Sequence, residues 1–511
     1  MGVPNQRKGT PPVRHPPCAT LSRWRGPPHA VAGVCQTCPV TQNTAARRAA
    51  GEITVRERLT FAAGDVFAGG ASSLIAVMYL IFLTDVIRLA PGLAGTAVLV
   101  AKLWDAVNDP LMGAISDRVR TRMGRRRPFI LGGAVLLIPI MALLWLPFPV
   151  LDSQLGKMAW AMLSYIGYNT VQTVMAVPYA SMSTEITTDY DERNKVNTTR
   201  LLFSTVASAT VTLLGAWLFD QYRSGEIGLW PMYLAIVLGF GTVFMLVMLG
   251  VALFTRERAP IPPRAQRFEV RTFVAPLRTS SFRKLLGMYL SQALAFDIIS
   301  ATVLYYALYV VVGANSQVFL GIFIGVNVIA YPIVTWLVGR VSKHRVYMRL
   351  IPLALVGAAA VAVFPGDGPV PLVYVFAFML AAGMAGAQLM CWVMFPDVLD
   401  DAELATGQRN AGSYSGLMTF TRGIASAIVI QALGLVLQFS GYVAPVTNEV
   451  PLQPDSAVLG IRLFMWIGIT ALLVLGWTIA RRYPLTRTVA LSNQAELDRR
   501  RGKVVSGEEL A

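Results

Sequence analysis

Apolar residues gather into long blocks, each close to the roughly 20 residues that carry a helix across about 30 Å of hydrocarbon. Twelve blocks can be counted, near 61–86, 93–116, 128–148, 158–182, 200–221, 229–254, 285–312, 316–339, 348–364, 370–395, 411–439 and 458–480. Within them polar and apolar residues do not alternate, so they predict helices rather than the strands of a membrane barrel. The expected fold class is an all-α integral membrane protein with twelve transmembrane helices.

The hydrophilic interruptions set the organisation. The stretch from Arg256 to Lys284 carries Pro260, Pro262, Pro263 and many basic residues, with six blocks on either side. This divides the chain into two six-helix bundles, 59–254 and 285–482, joined by a cytoplasmic linker over 255–284. Two such bundles with a cavity between them are the architecture of major facilitator transporters. Residues 1–58 are rich in Pro, Arg, Thr and Ala and lack the apolar core of a secretory signal. They read as a disordered cytoplasmic tail, or as the product of a translation start placed too early. Residues 483–511 form a second cytoplasmic tail. Cys35 and Cys38 make a CxxC in the first tail, but no second ligand pair follows at zinc spacing. Cys391, alone in the tenth block, reads as a packing residue.

The chain has 511 residues, 55% hydrophobic and 14% charged, with a formal net charge of +16. That excess could signal nucleic acid, but its distribution argues against it. With both termini inside, the outer loops and helix ends receive only Arg88, Lys157, Arg223 and Arg462, while Lys102 and Arg422 lie at membrane depth. This is a positive-inside pattern, which places both termini in the cytoplasm of a plasma (inner) membrane. The expected partners are the bilayer, including its anionic lipids, and a small-molecule substrate, not nucleic acid. No HExxH, Walker loop or nucleophile elbow occurs, and His15, His29 and His344 lie outside the helical blocks. The chain is therefore not expected to be an enzyme.

Charges inside the blocks carry the chemistry. Asp105 and Asp109 stand in Leu103-Trp104-Asp105-Ala106-Val107-Asn108-Asp109-Pro110. At i and i+4 they share a helix face and can clamp a cation. Without one they repel each other or share a proton, and intramembrane acids are expensive to keep. Pro110 removes a backbone hydrogen bond and can loosen the helix beside them. The alternative is that one carboxylate pairs with Lys102 or Arg200. Asp65 and Asp297 also lie at membrane depth, able to bind substrate hydroxyls or to pair locally, and Asp85 reads as a structural residue near the outer interface.

The loop after the second block reads Gly113, Asp117-Arg118, then Gly124-Arg125-Arg126-Arg127-Pro128. It resembles the loop signature of the major facilitator superfamily. Gly113 permits close helix approach, Asp117 can pair with a loop base, and the arginines can bind lipid phosphates. Thr84-Asp85-Val86, the run Leu103 to Gly113, the cluster Asp397, Asp400, Asp401 and Glu403, and Thr406-Gly407-Gln408-Arg409 resemble the glycoside–pentoside–hexuronide:cation symporter family, over about 59–482.

That resemblance implies a cation site of Asp105, Asn108, Asp109 and Thr173, with no cofactor and either Na⁺ or H⁺ as coupling ion. Arg422 stands where the family has a lysine, and is expected to cross the cavity to Asp105 and Asp109 and link the bundles. Arg200 matches a family arginine. Asp397, Asp400, Asp401 and Glu403 are expected to form gating ion pairs with another inner loop, alongside Asp117, Arg118, Gly124, Arg125 and Arg126. The positions that hold sugar in melibiose permeases are occupied here by Gly69, Ala176, Ala180 and Gln388. Polar candidates for a rebuilt cavity are Asp65, Tyr165, Asn169, Gln172, Tyr179, Asp297, Tyr305, Tyr306 and Gln388. The expected function is cation-coupled symport of a sugar- or glycoside-type solute by a monomer through alternating access. Alternatives are symport of a lysophospholipid and a non-transporting sensor, and the retained cation motif argues against the sensor.

Overall fold

The computed structural model describes residues 53–500, apart from 148–152, 184, 188–189, 259–272, 312, 314, 339–342, 367, 408–410 and 445–451. Helices occupy all twelve predicted blocks, and the described residues contain no β-sheet, only an isolated bridge between Thr121 and Gly124. Helix α1 comprises Val55–Ala63, Asp65–Leu74 and two π-helical turns, Ile75–Tyr79 and Phe82–Val86. It is followed by α2 (Pro91–Arg118), α3 (Arg127–Leu144), α4 (Gln154–Met182) and α5 (Tyr190–Arg223). Helix α6 runs through Leu229–Leu234, a π segment Ala235–Phe240, and Gly241–Phe254. The second half contains α7 (Ser280–Tyr309), α8 (Ser316–Val338), α9 (Lys343–Val363), α10 (Val370–Thr406), α11 (Ala411–Phe439) and α12 (Asp455–Arg481). A surface helix, α13 (Arg487–Arg500), packs on α10.

Nine of these helices are long and apolar enough to cross a membrane by length and composition, among the described residues. Helices α2 and α4 fall outside that set. One carries Lys102, Asp105 and Asp109, the other Asn169, Gln172 and Thr173. The polarity that weakens their hydropathy is the polarity that builds the site. The first half packs α1 on α5, α2 on α4, and α3 on α4 and α6. The second packs α7 on α12 and α9 on α10 and α12. Across the halves, α2 packs on α11, α5 on α8, and the π region of α1 on α7. Gly434 makes the α2–α11 crossing possible: a Cβ there would stand 2.4 Å from the Pro91 carbonyl oxygen.

Several expected boundaries move. Thr54 caps α1, its side chain accepting from the Glu57 N–H at 3.2 Å, so helix begins inside the predicted tail. Helix α7 begins at Ser280, within the predicted linker. Helix α10 continues to Thr406 and ends on Gly407 in the left-handed region, φ 72°. Asp397, Asp400, Asp401 and Glu403 therefore sit on the last turns of a helix, not in a loop. Residues 1–52 with Cys35 and Cys38, much of the linker, Gln408 and Arg409 lie outside the described residues.

Candidate cation and substrate site

Helices α2 and α4 bring three of the four predicted cation ligands together. Thr173 Oγ1 lies 2.8 Å from Asp109 Oδ1 and 3.3 Å from Asp105 Oδ1, so its hydroxyl proton can serve either carboxylate. Asn108 is buried on α2, and its Nδ2 has no hydrogen-bond partner among the described residues. One turn away Asn169 Nδ2 donates to the Ala101 carbonyl at 2.9 Å and fixes α4 against α2. Trp104 Nε1 donates to Thr170 Oγ1 at 3.0 Å. Asp105 and Asp109 line a cavity of about 780 Å³ whose other walls include Lys102, Ser181, Ser415 and Thr419. Of the two alternative partners, Lys102 lines this cavity with both carboxylates.

Arg200 is engaged elsewhere. Its Nε donates to Asp65 Oδ2 at 2.5 Å, and the Tyr179 hydroxyl donates to the same oxygen at 2.7 Å. The guanidinium also stacks 4.7 Å from the Tyr179 ring centroid. This cluster ties α1, α4 and α5 together, which corrects the expectation that Asp65 and Tyr179 line a substrate cavity. Asn169 is likewise spent on a helix–helix bond, Tyr305 shares a hydrogen bond with Thr84 Oγ1 at 2.9 Å, and the Tyr306 hydroxyl donates to the Val361 carbonyl at 2.7 Å.

Arg422 does not reach across to Asp105 and Asp109. Its Nη2 donates to Asp297 Oδ1 at 3.1 Å, an ion pair within the second half. Among the described residues, Asp297 Oδ2 is buried without a partner. The Arg422 side chain stays 39% exposed, enough to face a cavity of about 470 Å³ that Gln388 and Asn327 also line. One wall of that cavity is hydroxylated, with Ser72 and Ser73 on α1 and Ser204 and Ser208 on α5; the other is apolar, with Phe296, Ile299 and Phe323. The Ser73 and Ser208 hydroxyls lie 2.5 Å apart. Gly69, at a replaced sugar position, lets α5 approach: a Cβ there would meet the Ser204 carbonyl oxygen at 2.5 Å. A third, small cavity between the other two is lined by Tyr165, Gln172, Lys102 and Ser72.

The loop between α2 and α3 is a closed ionic knot within the first half. Arg126 Nη2 donates to Asp117 Oδ1 at 2.5 Å, and both Arg125 and Arg126 pair with Glu185 at the end of α4. Glu257 accepts from the backbone N–H groups of Arg125 at 3.0 Å and Arg126 at 2.8 Å. Gly124 has φ 111°, and a Cβ there would stand 2.5 Å from Glu257 Oε1. Arg125 and Arg126 are buried, so they hold carboxylates rather than the lipid phosphates expected; Arg118 follows Asp117 as the last residue of α2. Asp397 pairs with Lys343 at 2.8 Å and Asp401 accepts from Ser281 at 2.6 Å, both within the second half. These are not the expected pairs with arginines of another loop.

At the far end, opposite this loop, lies a network that the sequence reading missed. Asp85 is buried; Arg223 Nη1 donates to its Oδ2 at 3.2 Å, Tyr309 to its Oδ2 at 2.8 Å, and Tyr442 to its Oδ1 at 2.6 Å. Asp85 and Arg223 belong to the first half, Tyr309 and Tyr442 to the second. Gln317 Nε2 adds a further bond across the halves, to Asp220 Oδ2 at 3.3 Å. The available signal was Thr84-Asp85 followed by Arg223 at a helix end, but no spacing connects either to Tyr309 or Tyr442.

The fold matches solved major facilitator structures. A D-xylose–proton symporter superposes with a TM-score of 0.57 at 14% identity, over 83% of this chain and 97% of that one. The nucleoside transporter NupG gives 0.55 at 12%, over 84% and 99%. Among curated proteins, an uncharacterized symporter of Synechocystis is 28% identical, over 87% of this chain and 96% of its own. A glucuronide carrier protein homolog of Escherichia coli is 27% identical, over 88% and 97%. A sodium-dependent lysophosphatidylcholine symporter of Danio rerio is 23% identical, over 89% and 92%. The profile of the MFS/sugar transport protein family matches residues 60–487, so this chain belongs to that family and is a multi-pass membrane transporter rather than an enzyme.

Proposed function

We propose that this chain is a sodium-coupled symporter of a polyhydroxylated, glycoside-type solute. The observation that carries the reading is Thr173, whose hydroxyl spans Asp105 and Asp109. A proton needs one carboxylate, whereas two carboxylates and a hydroxyl in one place suit a hard cation that binds oxygen. Asn108, buried one residue before Asp109, is the further candidate ligand. Loading relieves the repulsion of two intramembrane carboxylates. The glycoside assignment is supported by the hydroxylated wall of the cavity below Arg422 and by relatives described as glycoside, glucuronide and isoprimeverose carriers.

Transport proceeds by alternating access. The hydrogen bonds described across the halves gather at the far end, while the cation cavity is lined at its other limit by Ser181 and Gly412, near the loop end of α4 and α11. The positive-inside pattern supports a cytoplasmic loop end and cytoplasmic termini. The proposed transporting unit is a monomer. A second reading, an amphipathic lysophospholipid, is favoured by the apolar wall of Phe296, Ile299 and Phe323.

The test is uptake into proteoliposomes, scanning glucosides, xylosides, glucuronides and lysophosphatidylcholine under a Na⁺ or a pH gradient. Accumulation should follow sodium and disappear in Asp105→Asn and in Asp109→Asn. Gradient-driven accumulation that survives both substitutions overturns the reading.

A further inference from the structure

We propose that Lys102 is the element that couples sodium to substrate: a tethered cation that neutralises Asp105 and Asp109 in the unloaded carrier and is displaced toward the substrate cavity when sodium binds. The inference rests on the sodium-symport reading and extends it to a residue that the family cation set does not include.

The placement of Lys102 carries it. Lys102 is three residues before Asp105 and seven before Asp109, so all three lie along one side of α2. It lines one cavity with both carboxylates, and no ion pair or hydrogen bond holds it among the described residues. It lines two cavities at once, the cation cavity and the small one of about 70 Å³. The small cavity in turn shares Ser72 and Ala76 with the larger cavity that Arg422 faces. The three spaces form a series, and Lys102 is the side chain that stands between the first two.

A lysine ammonium is a compact charge on a flexible four-carbon stem. Two carboxylates at membrane depth require a positive charge from somewhere. When sodium supplies it, the ammonium loses its partners and is repelled. The neighbouring space offers it Tyr165, Gln172, Ser72 and Ser426. A charge arriving there faces the substrate cavity and favours a solute that presents hydrogen-bond acceptors or an anionic group at that end. Sodium and substrate are thereby linked through one moving side chain, and the two affinities rise together, as linkage requires.

The experiment titrates purified protein with NaCl against choline chloride and follows the fluorescence of Trp104, which adjoins the site; Trp104→Phe identifies its signal. Lys102→Met removes the internal competitor, so sodium affinity should rise about tenfold, while Lys102→Arg stays within about threefold of the parent. The displacement is read at Ser72→Cys, with Cys18, Cys35 and Cys38 replaced by serine. Sodium should speed its alkylation by N-ethylmaleimide several-fold when Lys102 is present, because an arriving ammonium stabilises the thiolate. The acceleration should vanish in Lys102→Met, which still binds sodium. Unchanged or weaker sodium affinity in Lys102→Met overturns the proposal, as does equal acceleration without Lys102. A sodium response that persists in Asp105→Asn overturns the cation-site reading instead. A parent protein silent to sodium overturns both.

Discussion

The Tyr442 hydroxyl donates to Asp85 Oδ1 at 2.6 Å and joins the segment after α11 to the end of α1. It completes the shell of a carboxylate that already holds Arg223 and Tyr309. Arg223 is also bound to the Tyr309 hydroxyl at 2.9 Å and lies 5.0 Å from its ring centroid. The charge pair stays inside one half, while the tyrosines of the other half lend it only hydrogen bonds. Such a clasp can open without separating two charges, which suits a contact that would break in the proposed transport cycle.

Weakening this clasp should expose the far side of the cavity in a graded way. Tyr442→Phe removes a hydrogen bond to a charged group, about 1.5–3 kcal/mol. Asp85→Asn strips Arg223 of its counter-charge, about 3–5 kcal/mol. Val98→Cys, buried and lining the small central cavity, should react with an impermeant maleimide slowly in the parent, faster with Tyr442→Phe and fastest with Asp85→Asn. Equal rates in all three would remove the clasp from the gating scheme.

Gly434 gives an independent route to the same state. Because its Cβ would approach the Pro91 carbonyl oxygen to 2.4 Å, Gly434→Leu should hold α2 and α11 apart at the far end. The expected result is fast labelling of Val98→Cys together with loss of uptake, although neither residue touches the cation site. Unchanged uptake would mean that the crossing tolerates separation.

Thr173 should act through its hydroxyl rather than its shape. Thr173→Ser is expected to retain sodium binding, whereas Thr173→Val, close in size, should lose about tenfold in affinity, the equivalent of one hydrogen bond or ligand contact. Sodium-dependent uptake half-saturation measures it. A valine variant with parental sodium dependence would place the cation elsewhere.

The Arg422–Asp297 pair predicts a rescue. Arg422→Gln leaves Asp297 in an apolar setting with one oxygen already unpartnered, and should lower thermal stability in detergent by about 1–3 kcal/mol, since Arg422 is partly solvated. Arg422→Gln with Asp297→Asn should recover most of that loss. Failure to recover would show that the pair is not the principal partner of either residue.

The sequence by itself determined the helical class and the twelve apolar blocks that helices occupy. Hydrocarbon demands long apolar segments with internally satisfied backbones, so crossings are written locally. The same demand makes Asp105 and Asp109 conspicuous, and i, i+4 spacing places them on one face without any tertiary knowledge. Partners of single charges were decided only by the tertiary structure. Arg422 and Asp297 are 125 residues apart, Asp85 and Tyr442 357. Nothing local shows that Arg422 turns to its own half, that Arg200 takes Asp65, or that Glu185 and Glu257 absorb the loop arginines. A buried charge must find some counter-group, but which one depends on how six helices pack against six others, and that geometry is set by many small contacts rather than by any motif.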